Sequence, residues 1–225
     1  MSNREVTAGW VREALAAAYG PLPAWWPAES PFEVIVGAIL VQNTTWTQTE
    51  RAVAQLKAAG VLEPSAILAL PPGELEALVR PSGTYRQKAR RLVAFCEHLY
   101  AHHWGGDLAA MLAQPVAPLR AELFGIWGIG EETADSICLF AAHKPALIVD
   151  AYTTRITRRL GLVPEDATRA VVRAALAPAL PDSADGMREL HAHFVTHAKT
   201  WCRAAPRCAG CPLATRCAYP KEHSA

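Results

Sequence analysis

The sequence predicts an all-α fold. Apolar residues recur at helical spacing through almost the whole chain. Short Gly/Pro stops, such as Pro71-Pro72-Gly73, Gly105-Gly106-Asp107 and Pro181-Asp182, punctuate the periodic stretches. The runs that could form strands, 34–41 and 146–149, have no neighbouring β-partner, and no Asn-Gly hairpin turn occurs.

Taken in order, Val11, Leu15 and Ala18 mark a first helix, stopped by Gly20-Pro21. Ser30-Pro31 with Glu33 reads as an N-cap, a first-turn proline and an early acid opening a second helix through Leu40. Further helices are expected over 46–59, 73–80, 85–103, 115–124, 131–142, 151–160, 165–177 and 186–201. Neither a repeat period nor a low-complexity linker interrupts this series.

At 225 residues, one or two domains are expected. A net charge of +1 provides no global basic field for nucleic acid. It conceals an uneven distribution, with acids at Glu74–Glu76 and Glu131–Asp135 and five basic residues without an acid between Leu190 and Lys221. No charge-free apolar run reaches bilayer-spanning length, and the first residues lack the apolar core of a secretory signal. A reducing, cytoplasmic setting with no membrane partner is therefore expected (nucleoid-associated if bacterial), and there six cysteines do not form a disulfide framework. Cys96 and Cys138 fall in apolar helical settings and read as small buried residues.

The other four cysteines, Cys202, Cys208, Cys211 and Cys217, are spaced C-x5-C-x2-C-x5-C. Thiolates wound into one compact loop suit the corners of a [4Fe–4S] cube. Zinc more often joins two close pairs, and only one C-x2-C pair exists here. A cluster, a zinc ion and unligated thiols all remain open on spacing alone. The basic residues around them, Arg203 and Arg207 included, are either a solvated tail or guanidinium groups offered to phosphates.

Gly128-Ile129-Gly130 stands directly before an amphipathic segment opening with Glu131 and Glu132. Such a turn leaves backbone N–H groups beside a helix N-terminus, where a phosphate can bind. Many helix–helix turns contain Gly-x-Gly and bind nothing. Farther on, Asp150 follows the apolar run Ile148-Val149, and its plain structural role is a helix N-cap.

Leu40-Val41-Gln42-Asn43-Thr44, the Gly125–Ala134 hairpin, Val149-Asp150 and the cysteine loop occur together in that order. In this the chain resembles the helix-hairpin-helix/GPD superfamily of DNA glycosylases, in its endonuclease III-like, iron–sulfur branch. The resemblance implies two domains. A six-helix barrel with the hairpin covers 25–140, and a discontinuous iron–sulfur domain is formed from 1–24 and 141–225, with damaged double-stranded DNA bound between them by a monomer. It implies Asp150 as the catalytic acid residue, Gln42 as the side chain filling the gap left by an extruded base, and Gly128 and Gly130 as the grip on the backbone. It implies the four cysteines as ligands of a [4Fe–4S] cluster, although the first cysteine spacing is one residue shorter than in endonuclease III.

One departure bears on chemistry. Bifunctional members carry a Schiff-base lysine in the first turn after the hairpin, and this chain has Glu132 there. A carboxylate forms no imine, so a monofunctional, hydrolytic glycosylase is expected. Glu132 also reads simply as a first-turn acid favoured by the helix dipole. With Trp25, Trp26 and Trp46, each of which could instead be core, it would make a pocket for a cationic ring. N-alkylated purines such as 3-methyladenine or 7-methylguanine are such rings. The Trp-Trp-Pro, Gln-Asn-Thr, Gly-Ile-Gly-x-Glu-x-Ala-Asp and Val-Asp-x-Tyr motifs are similar to the 3-methyladenine glycosylase branch. Excision of oxidised pyrimidines or mismatched thymine or uracil is the first alternative, and a catalytically weak damage-binding paralogue the second.

Two local clusters read more simply. Tyr85-Arg86-Gln87-Lys88 with Arg90-Arg91 either touches phosphates or solvates a helix. His191, His193 and His197 read as packing and hydrogen-bonding residues rather than metal ligands.

Overall fold

The structure, a computed structural model, describes residues 5–22, 26–101 and 104–219. The chain divides into two compact units, one of Trp26–Ala146 and one of Met1–Trp25 with Leu147–Ala225. Among the described residues there is no strand, and no helix is long and apolar enough to cross a membrane.

The continuous unit is built around Pro31–Leu40 (α2), which follows Ala8–Tyr19 (α1) of the other unit. Ser30 caps α2 by accepting the Glu33 N–H at 3.2 Å. Phe32 through Leu40 are all buried; apart from Glu33 the helix is apolar, and it is covered all round. Around it come Trp46–Ala58 (α3), Pro64–Ala69 (α4), Pro72–Leu78 (α5) and Tyr85–Ala101 (α6). Leu108–Ala113 (α7), Val116–Gly125 (α8) and Glu131–Ser136 (α9) complete the unit. From Ile137 to Ala141 the helix widens into a π turn that packs against α2.

The second unit joins α1 to Ala151–Leu160 (α10), Arg169–Leu176 (α11) and Ala184–Thr200 (α12), followed by the cysteine loop. Packing of α12 against α1 and α10 forms its core. Val11, Leu15, Ile156, Leu160, Phe194 and Val195 are all buried there.

Several sequence expectations need correction. The helices α4 and α7 were not anticipated. Each spans six residues, too short for apolar periodicity to show. The helix expected from 73 ends at Leu78 and gives way to a 3₁₀ turn over Arg80–Ser82, where Pro81 cannot continue the ladder. The helix expected over 165–177 starts at Arg169, after the Thr168 cap. That expected over 131–142 is regular only to Ser136.

Candidate active site

The Gly-rich segment forms a hairpin between α8 and α9. Gly128 has φ of +84°, in the region that favours glycine. The Arg91 side chain of α6 packs so closely that a Cβ at 128 would overlap it. The hairpin is braced by Arg120 on α8, whose Nε donates to Asp135 Oδ1 of α9 at 2.6 Å. Asp135 is buried, so it belongs to this brace and not to an exposed acidic surface. Trp127 stands 53% exposed at the turn with the Arg90 guanidinium 4.8 Å from its ring centre. This aromatic was missed. A Trp inside a Gly-rich turn is the signal in the sequence that marks it.

Gln42 is tied to the same hairpin. Its Nε2 donates to Thr133 Oγ1 at 2.9 Å and to the Gly128 carbonyl at 3.3 Å, and its Oε1 accepts from Arg91. Gln42, Gly128 and Glu132 are partly exposed and Gly130 is exposed.

The residues from Tyr85 onward do not form one surface cluster. Lys88 is 0% exposed and donates to the Ser82 carbonyl, so it neither touches phosphate nor solvates the helix. Burial, helped by the Arg91 charge, lowers its pKa to about 8.

Trp26 and Trp46 are brought together, edge to face with ring centres 5.1 Å apart. Trp26 also lies 5.0 Å from the Phe140 ring and directly over Gly37, where a Cβ would come within 3.1 Å of its ring. Both tryptophans line a cavity of about 490 Å³ with Glu29, Glu33, Glu50 and Lys57. Lys57 pairs with Glu33 at 2.8 Å. Glu132 does not line this cavity, so its carboxylates come from other residues. Trp25 lies outside the described residues.

Asp150 belongs to the discontinuous unit and opens α10. Its Oδ1 accepts the Thr153 N–H at 2.7 Å, so the capping role is realised, and only 8% of the residue is exposed. His191 on α12 is buried within electrostatic reach of this carboxylate. Burial lowers its pKa, and the Asp150 charge opposes that.

All four C-terminal cysteines line one small cavity, with Ile156, Leu160 and Leu213 among its apolar walls. Arg159 Nη1 lies 3.5 Å from Cys202 Sγ, and His197 Nε2 3.7 Å from Cys211 Sγ. Burial brings the His197 pKa down to about 4, so at neutral pH its ring is uncharged. Its Nδ1 can then accept the Tyr19 O–H at 2.9 Å while Nε2–H faces the sulfur. Burial raises the Cys211 and Cys217 pKa values, the latter to about 11, and the neighbouring thiols raise them further. Crowded thiols with N–H donors around them fit a positively charged centre that draws off their protons. Among the described residues no three His, Cys, Asp or Glu side chains are arranged to hold a single metal ion. Four thiols around one cavity are a donor set of the kind a [4Fe–4S] cluster uses. Arg203 and Arg207 are exposed on this loop. Cys96 and Cys138 are buried elsewhere.

The model of the HhH-GPD superfamily of base excision DNA repair proteins matches residues 36–181. The chain belongs to that superfamily. This HhH-GPD protein is 40% identical to a Methanocaldococcus jannaschii protein provisionally named a DNA repair glycosylase, over 86% of this chain and 88% of that one. It is 30% identical to endonuclease III of Thermotoga maritima over 84% of this chain and 83% of that one. Among solved structures, a trapped endonuclease III–DNA covalent intermediate superposes with a TM-score of 0.83 at 25% identity, covering 98% of this chain and 100% of that one. The H. pylori 3-methyladenine DNA glycosylase bound to ethenoadenine gives 0.75 at 25% identity, covering 86% and 98%. The HhH-GPD chain is thus a DNA glycosylase of base excision repair by family.

Proposed function

We propose that the protein is a monofunctional DNA glycosylase that flips damaged bases out of double-stranded DNA and releases them hydrolytically, with N-alkylated purines such as 3-methyladenine as its first substrates. The observation that carries this reading is a carboxylate, Glu132, in the first turn after the hairpin, where the bifunctional members that the chain resembles carry a lysine, in a chain that keeps an acid, Asp150, at the head of α10.

In this reading the Gly128–Gly130 turn holds backbone phosphate, and Gln42 leaves its hairpin bonds to fill the gap in the stack. Asp150 stabilises positive charge developing on the sugar and takes a proton from the attacking water. The water oxygen bonds to the sugar carbon as the N-glycosidic bond breaks and its electron pair leaves with the base. A base alkylated to a cation departs as a neutral molecule, so weak proton transfer to it suffices. Trp26 and Trp46 supply aromatic faces that attract such a ring, and Glu132 adds negative charge beside the hairpin. The H. pylori 3-methyladenine DNA glycosylase supports this substrate class.

Cys202, Cys208, Cys211 and Cys217 would hold a [4Fe–4S] cluster, pinning the loop that presents Arg203 and Arg207 to DNA. Such a cluster supplies a rigid cross-link and an electron that can be gained or lost. The protein would act as a monomer.

Relatives named endonuclease III and an Aeropyrum pernix thymine-DNA glycosylase favour a second reading, release of oxidised pyrimidines or mismatched thymine. Borohydride trapping on abasic-site DNA tests the reaction type. No covalent adduct is expected; a robust adduct would show that an amine does attack the sugar.

A further inference from the structure

The discontinuous unit has a second cavity, of about 930 Å³, beside the cysteine loop. Its walls include Arg155, Arg158, Arg159 and Arg169 and, among the described residues, one acid, Glu165. Thr168, also in the wall, caps α11 by accepting the Val171 N–H, which brings the positive end of that helix to the cavity.

The bonds that hold Arg155 and Arg158 do not neutralise them, whereas Arg159 also faces Cys202 Sγ at 3.5 Å. Arg155 Nε donates to the Cys202 carbonyl at 2.8 Å, and Arg158 Nη2 to the Ala167 carbonyl at 2.7 Å. Arg159 donates to the Arg203 and Ala204 carbonyls at 2.6 and 3.0 Å, with its guanidinium 4.5 Å above the Tyr219 ring. A neutral carbonyl orients a guanidinium and leaves its charge intact. In addition, Arg158 Nε is buried with no hydrogen-bond partner among the described residues. Guanidiniums oriented by neutral carbonyls around an open cavity are the chemistry that recognises a phosphate.

We propose that this cavity is a phosphate-binding subsite, separate from the Gly128–Gly130 hairpin. Its ligand is a tetrahedral phosphate group, carried either by a DNA strand or by a free polyphosphate. The DNA source rests on the glycosylase reading, because Ala151 and Thr154 of the helix opening at Asp150 line the same cavity. The free source does not depend on it.

The test uses the full chain and two probes. In calorimetry at low salt, pyrophosphate is expected to bind the wild type. An Arg158→Gln/Arg169→Gln variant should bind about tenfold or more weakly, as loss of charge-assisted bonds implies. Arg158→Lys/Arg169→Lys, which keeps the charge, should recover part of that loss. With a duplex holding an abasic-site analogue, the salt slope of binding should fall by about one per lost phosphate contact if the phosphate belongs to DNA. An unchanged slope with lost pyrophosphate binding assigns the site to a free ligand. Should the Gln pair fail to fold, the Arg158 Nε–H resonance of the wild type must shift on pyrophosphate titration. Equal pyrophosphate binding by wild type and a folded Gln pair, or an unmoved Arg158 resonance, overturns the proposal. Base release is read in neither arm, so failure of the glycosylase reading would be seen separately.

Discussion

Asp150 accepts a hydrogen bond from the backbone N–H of Thr153 at 2.7 Å, so one carboxylate both caps α10 and stands as the candidate catalytic residue. The two roles separate by substitution. Asn caps about as well as Asp, whereas Ala leaves the helix end open at a cost of about 1 kcal/mol. Asp150→Asn should therefore keep the thermal midpoint near that of the wild type and lose base release. Asp150→Ala should lose both. If Asp150→Asn released bases at the wild-type rate, Asp150 would be a cap and nothing more.

Arg91 and Gly128 make a second pair with a measurable coupling. Gly128→Ala must adopt φ of +84° and displace the Arg91 side chain. A loss of about 1–3 kcal/mol is expected from the backbone alone, with the clash added to it. In the Arg91→Ala background the clash disappears, so the same Gly128→Ala change should cost less. Denaturant unfolding of the four proteins of the cycle checks this. Strict additivity would mean that Arg91 yields without cost.

Lys88 predicts a pH dependence. Its pKa falls from an ordinary 10.5 to about 8 in the folded protein. Between those values the unfolded chain binds more protons at this site, so its contribution to stability rises with pH. Below about pH 8 the folded state carries the full cost of a buried cation. Cys96 and Cys138, both raised to about 12 by burial, oppose this trend above pH 9 in every variant. The informative quantity is thus the stability difference between wild type and Lys88→Met. It should move in favour of the wild type from pH 8 to 10.5, and a flat difference would contradict the assignment.

The cysteine loop yields a spectroscopic expectation. Protein purified under reducing, oxygen-free conditions should absorb broadly near about 400 nm, as iron–sulfur clusters do. Cys211→Ser should reduce that band together with the iron content. Stoichiometric zinc and a colourless protein would instead favour the mononuclear alternative.

Much of this was legible in the sequence, and what was hidden has physical causes. The long helices announced themselves because their buried faces repeat over several turns, and Ser30 and Asp150 mark their starts chemically. The six-residue helices α4 and α7 have too few turns for a pattern to emerge. Composition cannot say which charges are buried, so the burial of Asp135 against Arg120 and of Lys88 against the Ser82 carbonyl leaves no mark in it. Contacts between residues distant in sequence, such as Gln42 with Thr133 and Trp26 with Phe140, leave no trace in local spacing. The same limit hid the separation of Glu132 from the Trp26–Trp46 cavity.

The most direct test of the account is base release from duplexes carrying 3-methyladenine or 7-methylguanine, thymine glycol, or mismatched thymine, with wild-type protein and Asp150→Asn. The wild type should free the methylated purines, the strands should stay intact until alkali is added, and Asp150→Asn should free none. Preferred release of thymine glycol or mismatched thymine, accompanied by strand cleavage without alkali, would contradict it.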